Sequence, residues 1–314
     1  MSAAPENPLD ALPTLADSIG RTPLLPLRRL SAATGSTVLA KAEWLNPSGS
    51  VKVRAAARIV REAQAGGLLA GRTLIDSTSG NTGIAYAFLS AALRIPVELV
   101  MPENVSPERK AMIRGYGAAI RYSSPFEGSD GAIRLCREIV EKDPGRYFFA
   151  DQYGNDANWR AHYEGTGPEI WEQSAGRVTH FVASLGTSGT FMGTGRFLRE
   201  RKAGVTLISV EPTGAIHGLE GMKHMASAIV PAIYDPRLAD RRMEVETEDA
   251  YRMVLRLARE EGILAGFSSG AAVHAAVEVA RTNPGSVVVT VLPDGGDRYL
   301  STPVWEDIVA GDQR

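Results

Sequence analysis

Three short segments place glycine and hydroxyl residues where a buried strand is expected to give way to a helix. They are residues 78–83 (TSGNTG), 186–190 (GTSGT) and 268–270 (SSG). Glycine lets the backbone approach a ligand closely, hydroxyl groups donate hydrogen bonds, and a helix N-terminus presents free N–H groups with about half a positive charge. Residues 186–190 therefore have the composition of a phosphate-binding turn, although a single glycine-rich turn is also common as a tight connection.

A lysine that could act as a nucleophile, Lys52, directly follows another turn, residues 46–51 (NPSGSV). Most lysines are solvated surface charges. Where burial near a helix N-terminus lowers the pKa of the amine, however, the neutral form becomes a nucleophile or a general base. The pattern alone leaves both interpretations of Lys52 open.

The elements that must position these residues alternate along the chain as short apolar runs and longer helical patterns. The predicted strands are residues 38–41, 73–76, 97–101, 119–122, 181–183, 206–210 and 287–292, and the predicted helices are residues 55–65, 83–93, 107–116, 128–142, 157–173, 189–199, 249–260 and 270–281. This alternation predicts an α/β fold with parallel sheets flanked by helices. Residues 78–83 and 186–190 follow predicted strands, at the sheet edge where ligands bind in such folds, and residues 268–270 precede the last long helix.

Composition excludes several classes of function. The 314 residues include 34 Lys and Arg against 36 Asp and Glu, a net charge of −2, which argues against nucleic acid or an anionic membrane as the main partner. The single cysteine, Cys136, permits no intrachain disulfide and is interpreted as a small buried core residue. No His, Asp or Glu spacing is typical of a metal site. Without a secretory-signal pattern or a membrane-length apolar run, we expect a soluble cytoplasmic protein.

Taken together in order, the motifs between residues 19 and 304 resemble the cysteine synthases (O-acetylserine sulfhydrylases), and among them the B-type branch. The matching segments are IGRTPL (19–24), NPSGSVK (46–52), TSGNTG (78–83), MPE (101–103), SPER (106–109), residues 152–162, TGPEIW (166–171), GTSGT (186–190), EP (211–212), EGI (261–263), SSGA (268–271) and DRYLST (297–302). So many ordered matches make a chance resemblance negligible. The family depends on pyridoxal phosphate (PLP) and has the two-domain fold of the tryptophan synthase β type.

The resemblance implies a role for residues of each motif. Lys52 would carry PLP as a Schiff base and move protons at the substrate α-carbon, while Asn81 would bond the ring oxygen of PLP and Ser268 would face its pyridine nitrogen. One turn would hold the PLP phosphate, namely Gly186, Thr187, Ser188, Gly189 and Thr190. A second group would bind the α-carboxylate of the substrate, namely Thr78, Ser79, Gly80, Thr82 and Gln152.

The activity that the resemblance implies is β-replacement of O-acetyl-L-serine by sulfide or another sulfur donor, which gives L-cysteine and makes the chain a transferase. A hydroxyl group beside the pyridine nitrogen suits expulsion of a β-leaving group better than a carboxylate would. Lys223 lies in an irregular stretch, residues 214–236, which is interpreted as a functional loop. Lys223 is either a solvated loop charge or the partner of an anionic leaving group, which would admit O-phospho-L-serine.

The resemblance further implies a smaller, mobile domain of residues 36–155, and a larger domain of residues 13–35 and 156–314 that binds the PLP phosphate. PLP would lie between the two domains, and two chains would form a homodimer. The sulfur donor stays open among sulfide, thiosulfate and a sulfur-carrier protein.

Several residues depart from the family pattern, and two alternatives to a cysteine synthase stay open. Val53 stands where many members carry Asp, Ser188 replaces the usual Gly or Thr, and residues 293–296 (PDGG) match neither branch well. One alternative is a related PLP enzyme that resembles cystathionine β-synthase or serine/threonine dehydratase. The other is a catalytically silent regulatory homologue. Gln152 and residues 78–83 favour a sulfhydrylase over a dehydratase, and the presence of Lys52 disfavours a silent protein.

Overall fold

The computed structural model describes residues 14–302 and 305–306 of the chain. Its strands are β1 (Leu24–Pro26), β2 (Thr37–Ala42), β3 (Thr73–Ser77), β4 (Val97–Pro102), β5 (Ala119–Ser123), β6 (Tyr147–Phe149), β7 (His180–Ser184), β8 (Thr206–Pro212), β9 (Arg241–Val245) and β10 (Val287–Leu292). Its α-helices are α1 (Arg28–Ser31), α2 (Lys52–Ala65), α3 (Asn81–Leu93), α4 (Pro107–Gly115), α5 (Gly128–Lys142), α6 (Ala157–Ala161), α7 (Gly167–Gln173), α8 (Gly189–Arg201), α9 (Thr247–Glu261) and α10 (Phe267–Thr282). None of the helices in these described ranges is long and apolar enough to cross a membrane.

The larger sheet has six strands in the order β1-β2-β10-β7-β8-β9. Every neighbouring pair is parallel except β1 and β2. Strand β10 is a run of β-branched and apolar residues, which is typical of a strand buried on both faces of a parallel sheet. Successive β10 residues accordingly enter different cores. Val288 packs in the core that includes α9 and α10, and Val289 packs in the core that includes α7 and α8.

The smaller sheet has four parallel strands in the order β5-β4-β3-β6. Apolar residues of α2, α3 and α4 cover one face. Helix α5 covers the other face, where Cys136 packs against Ile75 and Val100 of the sheet. Burial raises the pKa of the Cys136 thiol above its ordinary value, so this cysteine is a core residue, as its sequence position predicts. The predicted α/β class with helix-flanked parallel sheets is thereby confirmed.

All seven predicted strands form, but the sequence did not reveal β1, β6 and β9. Strands β1 and β6 have only three residues each, and β9 carries the largely charged sequence RRMEV. All three lie at sheet edges, where few residues become buried and the apolar pattern of a strand is weak.

The single helix predicted over residues 157–173 is wrong as a regular α-helix. The segment is divided into α6, a π-helical turn at His162–Thr166, and α7. Pro168 follows the turn and has no N–H group to continue an α-helical ladder. The His162 ring bonds the Thr166 hydroxyl at 2.9 Å across the turn, and burial lowers the pKa of His162 to about 3, so this histidine is a neutral structural residue.

The proposed start of the smaller domain at residue 36 does not fit the sheets. Strand β2 pairs along its whole length with β10, so residues 37–42 lie in the larger sheet. Helix α2, by contrast, packs on the smaller sheet, which puts the crossing point between β2 and α2. Residue 13, residues 303–304 and residues 307–314 of the proposed division lie outside the described residues. The division into a fixed and a mobile domain stays a prediction.

Candidate active site

A cleft opens where the carboxyl ends of strands from both sheets come together. Its walls are built by the turns that follow β3 and β7, by the start of α2, and by the loop after β8. This position matches the rule for ligand sites in open α/β sheets. The cleft brings together all of the residues that the sequence singled out: Lys52, Thr78, Ser79, Gly80, Asn81, Thr82, Gln152, Gly186, Thr187, Ser188, Gly189, Thr190, Lys223 and Ser268.

The turn between β7 and α8 forms a cradle of backbone groups. Glycine is required at both of its ends, since a Cβ atom at Gly186 would overlap the carbonyl oxygen of Gly221, and one at Gly189 would overlap the Asn158 amide. Ser188 holds a left-handed backbone with φ of 68°, and its buried hydroxyl has no partner among the described residues. The start of α8, whose first N–H groups have no helical partners, lines the same space. The cradle therefore suits a tetrahedral anion such as a phosphate.

Lys52 is the first residue of α2 and lies opposite this cradle in the cleft. The preceding backbone is pinned to the segment after β10, because Val51 N–H donates to the Pro293 carbonyl oxygen at 2.8 Å. Burial lowers the pKa of the Lys52 amine, and the carboxylates of Asp294 and Glu43 oppose that shift only in part. Asp294 and Glu43 act on the amine through their charge alone, without a hydrogen bond to it. Lys52 is therefore a desolvated amine and not a solvated surface charge, which is the state in which a lysine can act as a nucleophile.

The turn between β3 and α3 forms a second polar pocket. The Thr82 hydroxyl donates to Gln152 Oε1 at 2.7 Å, and Gln152 Nε2 donates to the Ser77 carbonyl oxygen at 2.6 Å. The Thr78 hydroxyl accepts the N–H groups of Gly80 and Gly83, each at 3.0 Å. These bonds fix a ring of hydroxyl and amide groups at the N-terminus of α3, which suits a carboxylate ligand.

Two adjacent serines start α10, and the structure distinguishes them. Ser268 lines the cleft, while the fully buried Ser269 does not and directs its hydroxyl toward the Asp294 carbonyl oxygen at 3.5 Å. Ser268, which the family resemblance places at the pyridine nitrogen, is therefore the serine that can contact a ligand in the cleft.

Lys223 lies in the loop between β8 and β9, residues 213–240, and is 7% exposed. Its ammonium pairs with Asp130 of α5 at 2.8 Å and lies 5.1 Å from the centre of the Tyr153 ring. The interpretation of Lys223 as a solvated loop charge is wrong, since the chain folds this loop over the cleft. A second ion pair, between Arg109 of α4 and Glu220, joins the loop to the smaller sheet in the same way.

Asp76, the fourth residue of β3, was not recognised from the sequence as a functional candidate. Its carboxylate is fully buried and accepts the N–H groups of Ser77 at 2.8 Å and Gln152 at 3.2 Å. It thereby ties the carboxylate-binding ring to β3. A charged residue in the middle of an otherwise apolar strand was the available signal.

Replacing Asp76 with asparagine should change how stability depends on pH. Burial raises the pKa of Asp76 from 3.8 to about 8. Between about pH 4 and pH 8 the folded protein holds a proton that the unfolded chain releases, so this group's stabilising contribution, complete at low pH, is lost as pH rises toward 8. As pH rises through this window, the free energy of unfolding of the wild type should fall by up to about 1.4 kcal/mol per pH unit. The variant has no titrating group at this position and should not show this loss. Urea unfolding at several pH values measures the difference. Parallel curves would contradict the prediction.

The family model described as pyridoxal-phosphate dependent enzyme matches residues 15–294. The cysteine synthase of Aquifex aeolicus is 47% identical over 302 residues, which covers 94% of this chain and 92% of that protein. Cysteine synthase B of Salmonella typhimurium is 43% identical over 293 residues, which covers 93% and 96%. The crystal structure of a cysteine synthase from Entamoeba histolytica has a TM-score of 0.88 at 34% identity, and the match covers 98% of this chain and 94% of that one.

Proposed function

The chain belongs to the pyridoxal-phosphate-dependent enzymes and, within them, to the cysteine synthases, and on that premise we propose how its residues carry out the reaction. It is a PLP-dependent transferase that makes L-cysteine by β-replacement on O-acetyl-L-serine. This confirms the resemblance drawn from the sequence motifs and disfavours the lyase and silent alternatives. The observation that carries the assignment to this cleft is the desolvated Lys52 amine opposite the cradle at residues 186–190.

The residues of the cleft fit PLP. The orphaned hydroxyl of Ser188 and the glycines at both ends of its turn leave a space that accepts a phosphate, with Thr187 and Thr190 completing the group. Lys52 would hold the cofactor covalently, Asn81 would bond its ring oxygen and Ser268 its ring nitrogen. When bound, PLP supplies an electron sink that stabilises charge at the substrate α-carbon and allows a β-leaving group to depart.

The substrate would be oriented by the second polar pocket. Thr78 and Ser79 would offer hydroxyl groups to its α-carboxylate. Thr82, whose hydroxyl hydrogen is used by Gln152, would offer its backbone N–H group, and the N-terminus of α3 adds a partial positive charge. Gln152 holds Thr82 in place through its amide oxygen. With the carboxylate fixed, the α-proton is directed to Lys52 Nζ, which accepts it as a general base. The lowered pKa of this amine keeps more of it in the neutral form that can accept a proton.

Exclusion of water would depend on the loop over the cleft. The Arg109–Glu220 and Asp130–Lys223 pairs both join the loop after β8 to elements packed on the smaller sheet. We propose that carboxylate binding draws the smaller domain toward this loop, which shields the reacting β-carbon from hydrolysis.

Product analysis tests the function directly. Purified enzyme loaded with PLP should convert O-acetyl-L-serine and sulfide to L-cysteine, and should form little product from serine and homocysteine. Cystathionine as the main product, or keto acid and ammonia without a sulfur-containing product, would overturn the assignment.

The Lys223 hypothesis concerns a second substrate, O-phospho-L-serine. Lys223 would attract the phosphate leaving group, in competition with its present partner Asp130. A charge-assisted hydrogen bond contributes about 1.5–3 kcal/mol. Lys223→Ala should therefore lower kcat/KM for O-phosphoserine about tenfold or more relative to O-acetylserine, whereas Asp130→Asn, which frees the ammonium, should raise that ratio. Steady-state kinetics with both substrates decide, and a ratio unchanged in both variants removes Lys223 from substrate recognition.

We also propose a cytoplasmic homodimer, on the strength of the family membership alone. Light scattering of the purified protein measures its mass in solution. For the sulfur donor, sulfide, thiosulfate and a thiocarboxylated sulfur-carrier protein are the candidates, and turnover of O-acetylserine with each in turn separates them.

A further inference from the structure

The side-chain amide of Asn81 is hydrogen-bonded on both sides by residues of the segment that follows β10. These two residues, Asp294 and Arg298, are called the clamp. Asn81 Nδ2 donates to Asp294 Oδ2 at 2.6 Å, and Asn81 Oδ1 accepts from Arg298 Nη1 at 2.6 Å. Asn81 starts α3 on the smaller sheet, whereas Asp294 and Arg298 follow a strand of the larger sheet. The clamp therefore joins the two sides of the cleft at a residue that lines it.

The two clamp residues, Asp294 and Arg298, are themselves held in place by further hydrogen bonds. Asp294 is 1% exposed, and its Oδ2 also accepts the Tyr299 hydroxyl at 2.6 Å. Arg298 is 3% exposed and donates through Nη2 to the Ser48 carbonyl oxygen, in the turn that leads to Lys52. A buried ionic group held by several bonds has little freedom to move.

The charges of the clamp allow only one orientation of the amide. If the Asn81 amide turned over, its oxygen would face the Asp294 carboxylate and its NH₂ group would face the Arg298 guanidinium. Two acceptors and two donors would then be opposed in a buried site, which costs free energy on both sides. In the observed orientation one Nδ2–H is used by Asp294 and the other stays available to the cleft.

We propose that Asp294 and Arg298 are positioning residues that lock the Asn81 amide so that its second N–H is presented to the ring oxygen of the cofactor. This inference rests on the proposed PLP site. It also gives a defined task to Asp294, one of the residues 293–296 that match neither branch of the family well.

A double-mutant cycle on PLP affinity tests the inference, with the dissociation constant measured by titrating PLP into apoenzyme. Asn81→Ala should raise this constant about 3- to 10-fold, the effect of one hydrogen bond. Asp294→Asn turns an anionic acceptor into a neutral amide and Arg298→Met removes a donor, so each should raise it by a similar factor. In the Asn81→Ala background both effects should shrink, because the part that acts through Asn81 is lost with it, while the Asp294 charge near Lys52 and the Arg298 bond to Ser48 remain. Asp297→Asn, an exposed carboxylate in the same turn, is the control and should leave the constant unchanged.

The outcomes separate the inference from the function on which it rests. Wild-type protein that binds no PLP would contradict the proposed function. An Asn81→Ala constant equal to wild type would contradict the assignment of Asn81 and the clamp with it. If Asp294→Asn and Arg298→Met bound PLP with wild-type affinity, or if their effects added fully to that of Asn81→Ala, the positioning role of Asp294 and Arg298 would be contradicted. The proposed function would not be affected. Should Asp294→Asn not fold, as judged by its thermal unfolding, Arg298→Met carries the same test.

Discussion

Replacing Lys52 with alanine should abolish cysteine synthesis, with a loss in kcat of more than about 10³-fold. The variant loses the general base, which typically contributes about 10²–10⁴-fold, and also the amine that would hold the cofactor covalently. No other lysine replaces it in the cleft, since the remaining lysine of the lining, Lys223, is paired with Asp130. Steady-state turnover of O-acetylserine with sulfide measures the loss.

The matched control for this prediction is Lys142→Ala. Lys142 is exposed at the end of α5 and does not line the cleft, so its removal should leave turnover and PLP absorbance at wild-type values. Lys52→Arg is a second informative variant. It keeps a positive charge but offers no neutral amine at ordinary pH, so it should be as inactive as the alanine variant. Substantial turnover in either Lys52 variant would contradict the mechanism.

Replacing Arg54 with alanine should lower the free energy of unfolding by about 3–5 kcal/mol, because it leaves the buried Glu43 carboxylate without its charged partner. Arg54 Nε and Nη2 donate to the two carboxylate oxygens of Glu43 at 2.7 and 2.8 Å. Its guanidinium also binds Glu169 through two bonds of 2.7 Å. Glu43 is fully buried, which by itself would raise its pKa. The charge and hydrogen bonds of Arg54, with the Thr22 hydrogen bond and the Lys41 charge, together outweigh burial, so the pKa of Glu43 lies below its ordinary value.

Arg58→Ala is the matched control for Arg54, one turn later on the same helix. Arg58 also pairs with two carboxylates, Glu62 and Glu164, but all three side chains are at least 30% exposed. Exposed pairs typically contribute about 0–1 kcal/mol. Urea unfolding should therefore show a several-fold larger loss for Arg54→Ala than for Arg58→Ala. Equal losses would mean that burial does not set the cost of breaking the network.

The sequence revealed the parts of the site whose chemistry is local. Three turns can be recognised from their content of glycine and hydroxyl residues without knowledge of the fold. They are residues 186–190, residues 78–83 and the turn before Lys52. Placement of these segments after strands then follows from the α/β pattern, because parallel strands bring their carboxyl ends to one edge. The composition of the turns and the α/β pattern thus predict where a ligand binds, whereas the roles of Lys52 and of the other cleft residues follow from the family resemblance.

Long-range partners could not be found in the same way. The hydrogen-bonded residues Arg54 and Glu169 are 115 residues apart in the sequence, and Asn81 and Asp294 are 213 residues apart. Nothing in the type or spacing of these residues specifies the pairing, which is set by how the two sheets face each other. The burial of Lys223 was missed for the same reason, since the ion pair with Asp130 that holds the loop down spans 93 positions.

Borohydride reduction of the PLP-loaded protein, followed by peptide mapping, tests the central claim most directly. Reduction makes the bond between cofactor and amine permanent, so the modified residue can be read from the mass of its peptide. The account predicts one pyridoxyl group, on the peptide that contains Lys52. A label on a different lysine, or no label on any peptide, would contradict it.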